Sequence, residues 1–379
     1  MMLMTFFRTI PIALVLMPAM ASAQTTFKSS AGPLAVETVA KGLVHPWALA
    51  FLPDGRMLVT ERPGRMRVVT RDGKLSQPLG GVPPVFASGQ GGLLDVALDR
   101  GFAQNRTIYF SYAEPFDGGG RTALARAQLD AGDTPRLTEV KVIFRQKGPP
   151  SRGNHFGSRI AQSADGNLFV TNGEHFSGRD MAQTLDNHFG KVVRITPDGQ
   201  APRDNPFVGK EGALPEIWSY GHRNPQGLTI NPADGSPWEQ EHGAQGGDEI
   251  NVIKPGKNYG WPLVSYGVNY DGSAVGTGKK TAPGFEDPVW HWTPSIAPSG
   301  MTFYTGDLFP GWKGSLINGA LKYQLLSRLE IKDGKVVKEE RLLAGLNERI
   351  RDVRQGPDGA LYLATDNSAG RILRVSPAR

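Results

Sequence analysis

The chain has 379 residues, and 42 lysines and arginines against 36 acidic residues give it a formal net charge of +6. The basic residues are scattered rather than grouped in runs, which argues against a nucleic-acid-binding surface and favours local anion sites. Cysteine is absent, which excludes disulfides, thiolate metal sites and thiol nucleophiles. The 48 glycines and 29 prolines favour short strands joined by turns over long helices.

The first element in chain order is a predicted export signal. Arg8 precedes an apolar run over residues 10–17, and the Ala-Ser-Ala triplet at residues 21–23 forms an A-x-A cleavage site, an order typical of a secretory signal peptide. A membrane anchor is the alternative, but the apolar run is too short to span a bilayer. We therefore predict a signal peptide over residues 1–23, a single mature domain over residues 24–379 and no membrane span.

A turn-and-strand pattern recurs along the rest of the chain. Each copy has a Pro/Ala-Asp-Gly turn or a degenerate version of it, followed by a short strand with a period of two. The turns lie at Asp54, Asp165, Asp234 and Asp358, and degenerate copies begin at Asn105 and Gly311. Six such units with few helical patterns predict an all-β fold, a six-bladed β-propeller with long inter-strand loops. A two-domain β-sandwich is the alternative.

Polar and charged residues recur where a predicted loop meets a strand, with one or two in most of the blades. The set comprises Gln90, His155, Arg223, Asn224, Lys322, Arg349 and Arg351. Such junctions converge on the axis of a propeller, so residues far apart in sequence can share one site. Four cations, one histidine and two amides suit a small polyanionic ligand. The structural alternative is that each cation forms a salt bridge with a neighbouring acid.

Several common catalytic motifs do not occur in the sequence. Its seven histidines show no HExxH or two-histidine zinc spacing. There is no Gly-x-Ser-x-Gly elbow, and no Gly-x-Gly-x-x-Gly motif opens a helix. A serine hydrolase of that type and Rossmann-type nicotinamide or flavin chemistry are therefore not supported.

A set of longer motifs resembles a known family. In order, they are GQGGLLDVALD, NHFGSRI, IWSYGHRNPQGL, EHGAQGGDEIN, KNYGWP, GALK and RIRDVRQGPDG…LYLATD, between about Lys41 and Ser376. They resemble the soluble PQQ-dependent aldose sugar dehydrogenases of the glucose/sorbosone dehydrogenase family. The resemblance implies a periplasmic propeller that holds PQQ near its axis, oxidises the C1 hydroxyl of aldose sugars to lactones and passes electrons to an external acceptor. We expect a monomer or a homodimer.

The resemblance also implies roles for individual residues. His155 matches the catalytic base, and Glu174 matches the acid that holds it, although some members carry aspartate there. PQQ contacts are implied for Gln90, Arg223, Asn224, Lys322, Arg349 and Arg351. One calcium ion is implied at the backbone carbonyls of Gly243 and Ala244, where the family often has proline in place of the alanine. A second calcium ion is implied at Glu249 and at the carbonyl of Tyr259.

Two other functions stay open from the sequence. A calcium-dependent propeller lactonase would need several carboxylates at the axis, whereas the matched positions are mostly cationic. The second alternative is a module that binds glycans or proteins and has lost PQQ. The intact His155 and the matched cations argue against it. The loops over residues 266–298 carry no readable code for the preferred sugar. Trp290, Trp292 and Tyr304 are residues that either stack on a sugar ring or pack in the core.

Overall fold

Six antiparallel sheets succeed one another along the chain in the computed structural model, which describes residues 26–378. The predicted signal peptide over residues 1–23 lies outside the described residues. Strands β1 (Thr26–Phe27) and β2 (Leu34–Leu43) open the described chain. Blade one follows, with β3 (Pro46–Phe51), β4 (Met57–Glu61) and β5 (Arg65–Val69).

The next four blades have four strands each. Blade two has β6 (Leu93–Leu98), β7 (Thr107–Phe116), β8 (Gly119–Asp130) and β9 (Arg136–Arg145), with a short helix α1 (Phe102–Asn105) after β6. Blade three has β10 (Ile160–Gln162), β11 (Leu168–Asn172), β12 (Lys191–Ile195) and β13 (Ile217–Tyr220), with a 3-10 helix (Arg179–Gln183) after β11. Blade four has β14 (Pro225–Ile230), β15 (Pro237–Glu241), β16 (Asp248–Val252) and β17 (Trp290–Trp292). Blade five has β18 (Pro298–Phe303), β19 (Leu316–Ala320), β20 (Leu326–Lys332) and β21 (Lys335–Leu342).

Blade six joins the two ends of the described chain. It contains β22 (Ile350–Gln355), β23 (Leu361–Thr365) and β24 (Gly370–Pro377), and β2 pairs with β24 in antiparallel register. The sheet order is therefore β1-β2-β24-β23-β22. An N-terminal strand thus completes the last sheet and closes the ring, which confirms the predicted six-bladed propeller. The β-sandwich alternative is wrong.

The four Asp-Gly turns have one geometry and one place in their blades. Each lies between the first and second strands, and each glycine has a positive φ of 76–86°, a conformation that costs glycine little. In each turn the aspartate Oδ1 accepts a hydrogen bond from the backbone N–H two residues later, at 2.9–3.2 Å. The degenerate copies precede β7 and β19, the second strands of blades two and five. The repeat signal in the sequence is therefore a signal for this turn.

Apolar side chains fill the spaces between neighbouring blades. One cluster joins blades one and two, another joins blades five and six, and a third around Leu49 and Ile372 joins blades six and one. A blade between two neighbours is covered on both faces, so β4, β11 and β12 are buried at every position. Full burial of one leucine stabilises the fold by roughly 1.5–3 kcal/mol.

The first strand of each blade lies next to the axis. Strands β3, β6, β10, β14, β18 and β22 contact one another around the ring. The loops that enter these strands therefore meet at one end of the axis, as the sequence pattern predicts. Within residues 26–378, no helix is both long enough and apolar enough to cross a membrane.

Candidate active site

A cavity of about 570 Å³ lies on the axis and receives side chains from all six blades. Its wall comprises Trp47, Gln90, Leu94, Phe156, Gly157, Gln226, His242, Ala297, Leu321, Arg349 and Arg351. Three of these residues, Gln90, Arg349 and Arg351, are among the sequence-predicted site residues. Residues separated by more than half of the chain therefore share one chamber, because each precedes or begins the inner strand of its blade.

His155 lies beside this cavity and is held at two points. Its backbone N–H donates to Gln90 Oε1 at 2.9 Å, and its Nδ1 lies 2.8 Å from Glu174 Oε2. The backbone has a positive φ of 47°, so the glycine-flanked loop holds a conformation that is uncommon for histidine. The predicted pairing of His155 with Glu174 is thus present, and the longer carboxylate reaches the ring directly.

The surroundings of His155 favour the neutral imidazole. Burial lowers its pKa from the ordinary value of 6.5, and the Glu174 carboxylate opposes this shift without overcoming it. Burial raises the pKa of Glu174, but the hydrogen bond with His155 and the charges of His155 and Arg223 outweigh it, and the net shift is downward. An ionised Glu174 accepts the Nδ1 proton, which leaves Nε2 with a lone pair.

Arg351 is fixed by a fork of contacts at the axis. Its Nη1 donates to Gln226 Oε1 at 3.1 Å, and its Nη2 donates to Asp366 Oδ2 at 3.0 Å. Arg349 shares the same acid at 3.6 Å and donates to the carbonyl of Leu321 at 3.2 Å. Burial raises the pKa of Asp366, but the two arginines and a hydrogen bond to a histidine reverse the shift. The acid therefore holds both cations on one side of the cavity.

Arg223 and Asn224 connect blades three and four; Arg223 lines two cavities beside the axial one, and Asn224 is buried. Arg223 Nη1 donates to the carbonyls of His242 and Gly243 at 3.1 and 2.6 Å, and its Nη2 donates to Tyr270 Oη at 3.2 Å. Asn224 Oδ1 accepts from the backbone N–H of Gly157 at 3.3 Å and from Gln226 Nε2 at 3.2 Å. Asn224 thus links the His155 loop to the residue that holds Arg351.

Lys322 lies on the wall of a second, wider cavity beside the first. This cavity is open to solvent, spans about 1210 Å³ with its open part included, and shares His242 and Ala297 with the axial chamber. Lys322 is exposed, with its ammonium group 5.6 Å from the centre of the Tyr323 ring. Gly243 and Ala244 line the same space. The cations therefore surround a continuous opening rather than a single closed pocket.

The two predicted calcium sites differ in the polar groups that surround them. The Gly243 carbonyl accepts the hydrogen bond from Arg223, so a cation there would share that oxygen with a guanidinium. Glu249 and Tyr259 line one small cavity together with Glu241. Burial and the charge of Glu241 raise the pKa of Glu249, because carboxylates are crowded there. A divalent cation would relieve that crowding.

A buried ion network closes the axis beneath Arg351. Arg159 lies between Asp95 and Asp352, at 3.2 and 3.0 Å, and its guanidinium stacks 4.1 Å from the centre of the Trp47 ring. Its Nε and Nη2 donate to the backbone carbonyls of Gln226 and Arg351, at 2.7 and 3.0 Å. The network positions the strand that carries Arg351 and supports the floor of the cavity.

The sequence analysis missed several residues of this site. Trp47, Gln226 and His242 line the axial cavity, and Asp366 holds its arginines. Gln226 lies at a register shift between Pro225 and Gly227 in β14, so regular strand alternation does not predict which way its side chain faces. The apolar strand around Trp47 predicts a core residue, so the local sequence does not indicate that Trp47 lines the site.

The aromatic residues of the opening also differ from those considered in the sequence. Trp292 and Tyr304 are buried in inter-blade clusters, and Trp290 packs against one of them. Phe176 and Tyr270 instead line a cavity of about 790 Å³ beside Arg223, and they are 52% and 63% exposed. The core-packing interpretation of the first three is the one that the structure supports.

Comparison with known proteins identifies the family to which the chain belongs. A family model described as glucose/sorbosone dehydrogenase matches residues 43–374. The chain belongs to the glucose/sorbosone dehydrogenase family. It is 48% identical over 345 residues to the aldose sugar dehydrogenase YliI of Escherichia coli, covering 90% of this chain and 92% of that protein. The resemblance predicted from the sequence motifs is confirmed.

Solved structures of glucose/sorbosone dehydrogenases have the same architecture. The apo form of the soluble aldose sugar dehydrogenase from Escherichia coli superposes with a TM-score of 0.87 at 47% identity, over 91% of this chain and all of that one. The PQQ-bound form of aldose sugar dehydrogenase from Streptomyces coelicolor superposes with a TM-score of 0.76 at 31% identity, over 90% of this chain and 98% of that one.

Proposed function

We propose that this chain is a PQQ- and calcium-dependent aldose sugar dehydrogenase that oxidises the C1 hydroxyl of its substrate to a lactone. The observation that carries the proposal is the junction of a neutral, buried imidazole with a cavity whose wall bears fixed arginines. A lactonase would need carboxylates at the axis that are free to hold calcium. The axial acids Asp95, Asp352 and Asp366 are instead engaged with arginines.

The residues present fit PQQ, a tricarboxylated quinone. The Nε atoms of Arg223 and Arg351 are buried and have no hydrogen-bond partner among residues 26–378. Buried donors without partners are costly, and a carboxylate ligand would satisfy them. Arg349 and Lys322 add accessible positive charge. We therefore assign cofactor contacts to Gln90, Arg223, Asn224, Lys322, Arg349 and Arg351.

His155 would act as the general base. Its Nε2 takes the proton of the C1 hydroxyl, while Glu174 holds Nδ1–H and stabilises the imidazolium that forms. When bound, PQQ supplies the two-electron oxidant that accepts the hydride of C1. The substrate thus loses one proton and one hydride, and its hemiacetal carbon becomes the lactone carbonyl.

Calcium would act beside this base. The carbonyls of Gly243 and Ala244 are the proposed ligands of the ion at the cofactor, and Glu249 with the carbonyl of Tyr259 forms the proposed second site. A hard cation bound by oxygen atoms stabilises negative charge that develops on a neighbouring quinone oxygen. The Arg223 guanidinium, which donates to the same Gly243 carbonyl, would compete with the ion for that oxygen.

We further propose that the protein works in the periplasm after removal of residues 1–23 and transfers electrons to an external acceptor. The proposed form is a monomer or a homodimer with no nucleic-acid partner.

The test is reconstitution of the purified mature protein. Apoprotein incubated with PQQ and Ca²⁺ is assayed for reduction of a redox dye that depends on added aldose. Dye reduction that requires all three components is the expected result. A folded protein that binds PQQ without reducing dye would point to a binding module, and lactone hydrolysis with Ca²⁺ alone would point to a lactonase.

A further inference from the structure

A buried cluster of one imidazole and two carboxylates lies between blades three and four. His222 follows β13, whereas Glu239 and Glu241 occupy alternate positions of β15 and so face the same side. His222 Nδ1 lies 3.2 Å from Glu241 Oε1 and 4.0 Å from Glu239 Oε1, and the three atoms all lie within 4.8 Å of one another. His222 and Glu239 are fully buried, and Glu241 is 4% exposed.

The two carboxylates of this cluster are crowded together and are not fully hydrogen-bonded. Glu239 Oε1 has no hydrogen-bond partner among residues 26–378. Asn251 Nδ2 lies 3.2 Å from Glu239 Oε2 and 3.4 Å from Glu241 Oε1, and the backbone N–H of Arg223 donates to Glu241 Oε2. Burial and the charge of Glu241 raise the pKa of Glu239, and a divalent cation bound between the two carboxylates would relieve that crowding.

One tautomer of His222 directs a lone pair toward the two glutamates. Its Nε2 lies 2.9 Å from Ser219 Oγ. With Nε2–H donating to Ser219, Nδ1 of the neutral ring presents its lone pair to the two glutamates. A hydrogen bond at the far nitrogen is how proteins orient metal-bound histidines. One neutral imidazole and two carboxylates together balance the charge of a divalent cation.

We propose that His222, Glu239 and Glu241 bind a divalent transition-metal ion, Zn²⁺ or Mn²⁺. A mixed imidazole and carboxylate set suits these ions, whereas Ca²⁺ prefers six or more oxygen ligands. Bonds of about 2.1 Å in tetrahedral geometry separate ligand atoms by roughly 3.4 Å, so small side-chain movements close the site. The ion would fasten blade three to blade four.

This site is distinct from the proposed calcium position at Glu249 and Tyr259. Glu241 and Glu249 are neighbours in register across β15 and β16, so the two positions are adjacent and need separate tests. None of the side chains assigned to PQQ contact is a proposed ligand of this ion, although the backbone N–H of Arg223 donates to Glu241 Oε2. The experiment therefore uses protein without PQQ, and its outcome is independent of the dehydrogenase assignment.

The experiment measures metal content and thermal stability. Mature protein is stripped with a chelator, equilibrated with Zn²⁺, Mn²⁺ or Ca²⁺, desalted and analysed by mass spectrometry for metal. We expect about one tightly held Zn²⁺ or Mn²⁺ per chain and a rise in Tm of at least about 3 °C. Glu239→Gln and His222→Gln should each weaken that binding at least about tenfold. Glu249→Gln and the exposed control Glu211→Gln should weaken it less than about threefold.

Three results would overturn the proposal. The first is that the wild-type chain holds neither ion. The second is that Glu249→Gln abolishes binding while Glu239→Gln leaves it intact, which would move the ion to the calcium position. The third is a metal-free Glu239→Gln protein that is more stable than wild type, which would indicate a shared proton. If the variants do not fold, X-ray absorption of Zn²⁺-loaded wild type must show one imidazole and carboxylate oxygens at about 2.0–2.2 Å.

Discussion

The carboxylate of Glu174 holds the imidazole of His155 by its Nδ1, at 2.8 Å. This contact fixes the tautomer and directs Nε2 away from the acid. His155→Asn keeps a donor for Glu174 but removes the basic nitrogen. Because general-base catalysis contributes roughly 10²–10⁴-fold, we expect kcat to fall by that factor while PQQ affinity changes less than about threefold. The exposed control His291→Asn should retain full activity, and an unchanged kcat in the His155 variant would refute the base.

The dependence of activity on pH should follow the protonation of His155. Burial lowers the pKa of His155 below 6.5, and the base acts only when it is unprotonated. Activity should therefore be present above that lowered pKa and be lost as the pH falls through it. The acid limb of kcat/KM should lie below pH 6.5.

Replacement of Glu174 should move this limb in a known direction. The negative charge of Glu174 raises the pKa of His155 against the effect of burial. In Glu174→Gln the limb should shift to still lower pH, with kcat reduced roughly tenfold or more, because the imidazolium loses its counter-charge. The measurement is kcat/KM against pH for both proteins. A limb that moves upward would mean that the carboxylate does not act on His155.

We expect PQQ binding to depend on the planar shape of the Arg351 guanidinium as well as on its charge. Its fork contacts Gln226 and Asp366 at 3.1 and 3.0 Å, and lysine cannot reproduce that planar arrangement. We expect Arg351→Lys to raise the Kd of PQQ by roughly 10–100-fold, since hydrogen bonds of charged groups contribute about 1.5–3 kcal/mol. Fluorescence titration measures this change. Arg203→Lys, at an exposed position, is the matched control and should bind as wild type does.

We expect replacement of Arg159 to lower the free energy of unfolding. Its guanidinium lies between the buried carboxylates of Asp95 and Asp352. Arg159→Met leaves those acids with Arg354 as their remaining partner, and removal of one member of a buried ion group costs about 3–5 kcal/mol. Urea unfolding at pH 7 should show a loss of that size. The double variant with Asp352→Asn should lose less, and an equal loss would argue against the ion network as the cause.

Calcium affinity should depend on Arg223. The guanidinium donates to the Gly243 carbonyl at 2.6 Å, so its positive charge opposes a cation at that oxygen. In protein without PQQ, Arg223→Gln should strengthen Ca²⁺ binding by at least about tenfold, while PQQ binding weakens. Calorimetry of both titrations checks the two directions. Weaker Ca²⁺ binding in this variant would show that Arg223 builds the metal turn rather than competing with the ion.

Much of the architecture could be predicted because one turn repeats. Asp54 and Asp358 lie in identical Asx turns, and the side chain that closes each turn is visible in the sequence. The inner strands then bring Gln90 and Arg351 together through ring geometry alone. The contact of His155 with Glu174 was predicted only through family resemblance, because sequence spacing does not determine how two loops meet.

The remaining residues of the site depend on tertiary register. Asp366 follows β23 and reaches Arg351 only because β22 and β23 pair side by side. Trp47 has the sequence signature of a core residue, yet it lies under a guanidinium and lines the cavity. Trp292 and Tyr304 show the opposite case, since these large aromatic rings are buried between blades. Tertiary packing decides which aromatic side chains face solvent, and a local sequence pattern does not contain that information.

Ring closure by β2 and β24 has a consequence for biosynthesis. Arg351 and Asp366 belong to the last sheet to be made, and that sheet gains its outer strands from the other end of the polypeptide. A nascent chain thus carries His155 and Gln90 long before the opposite wall of the chamber exists. We therefore expect the complete chamber to form only after the last residues of the chain have been synthesised.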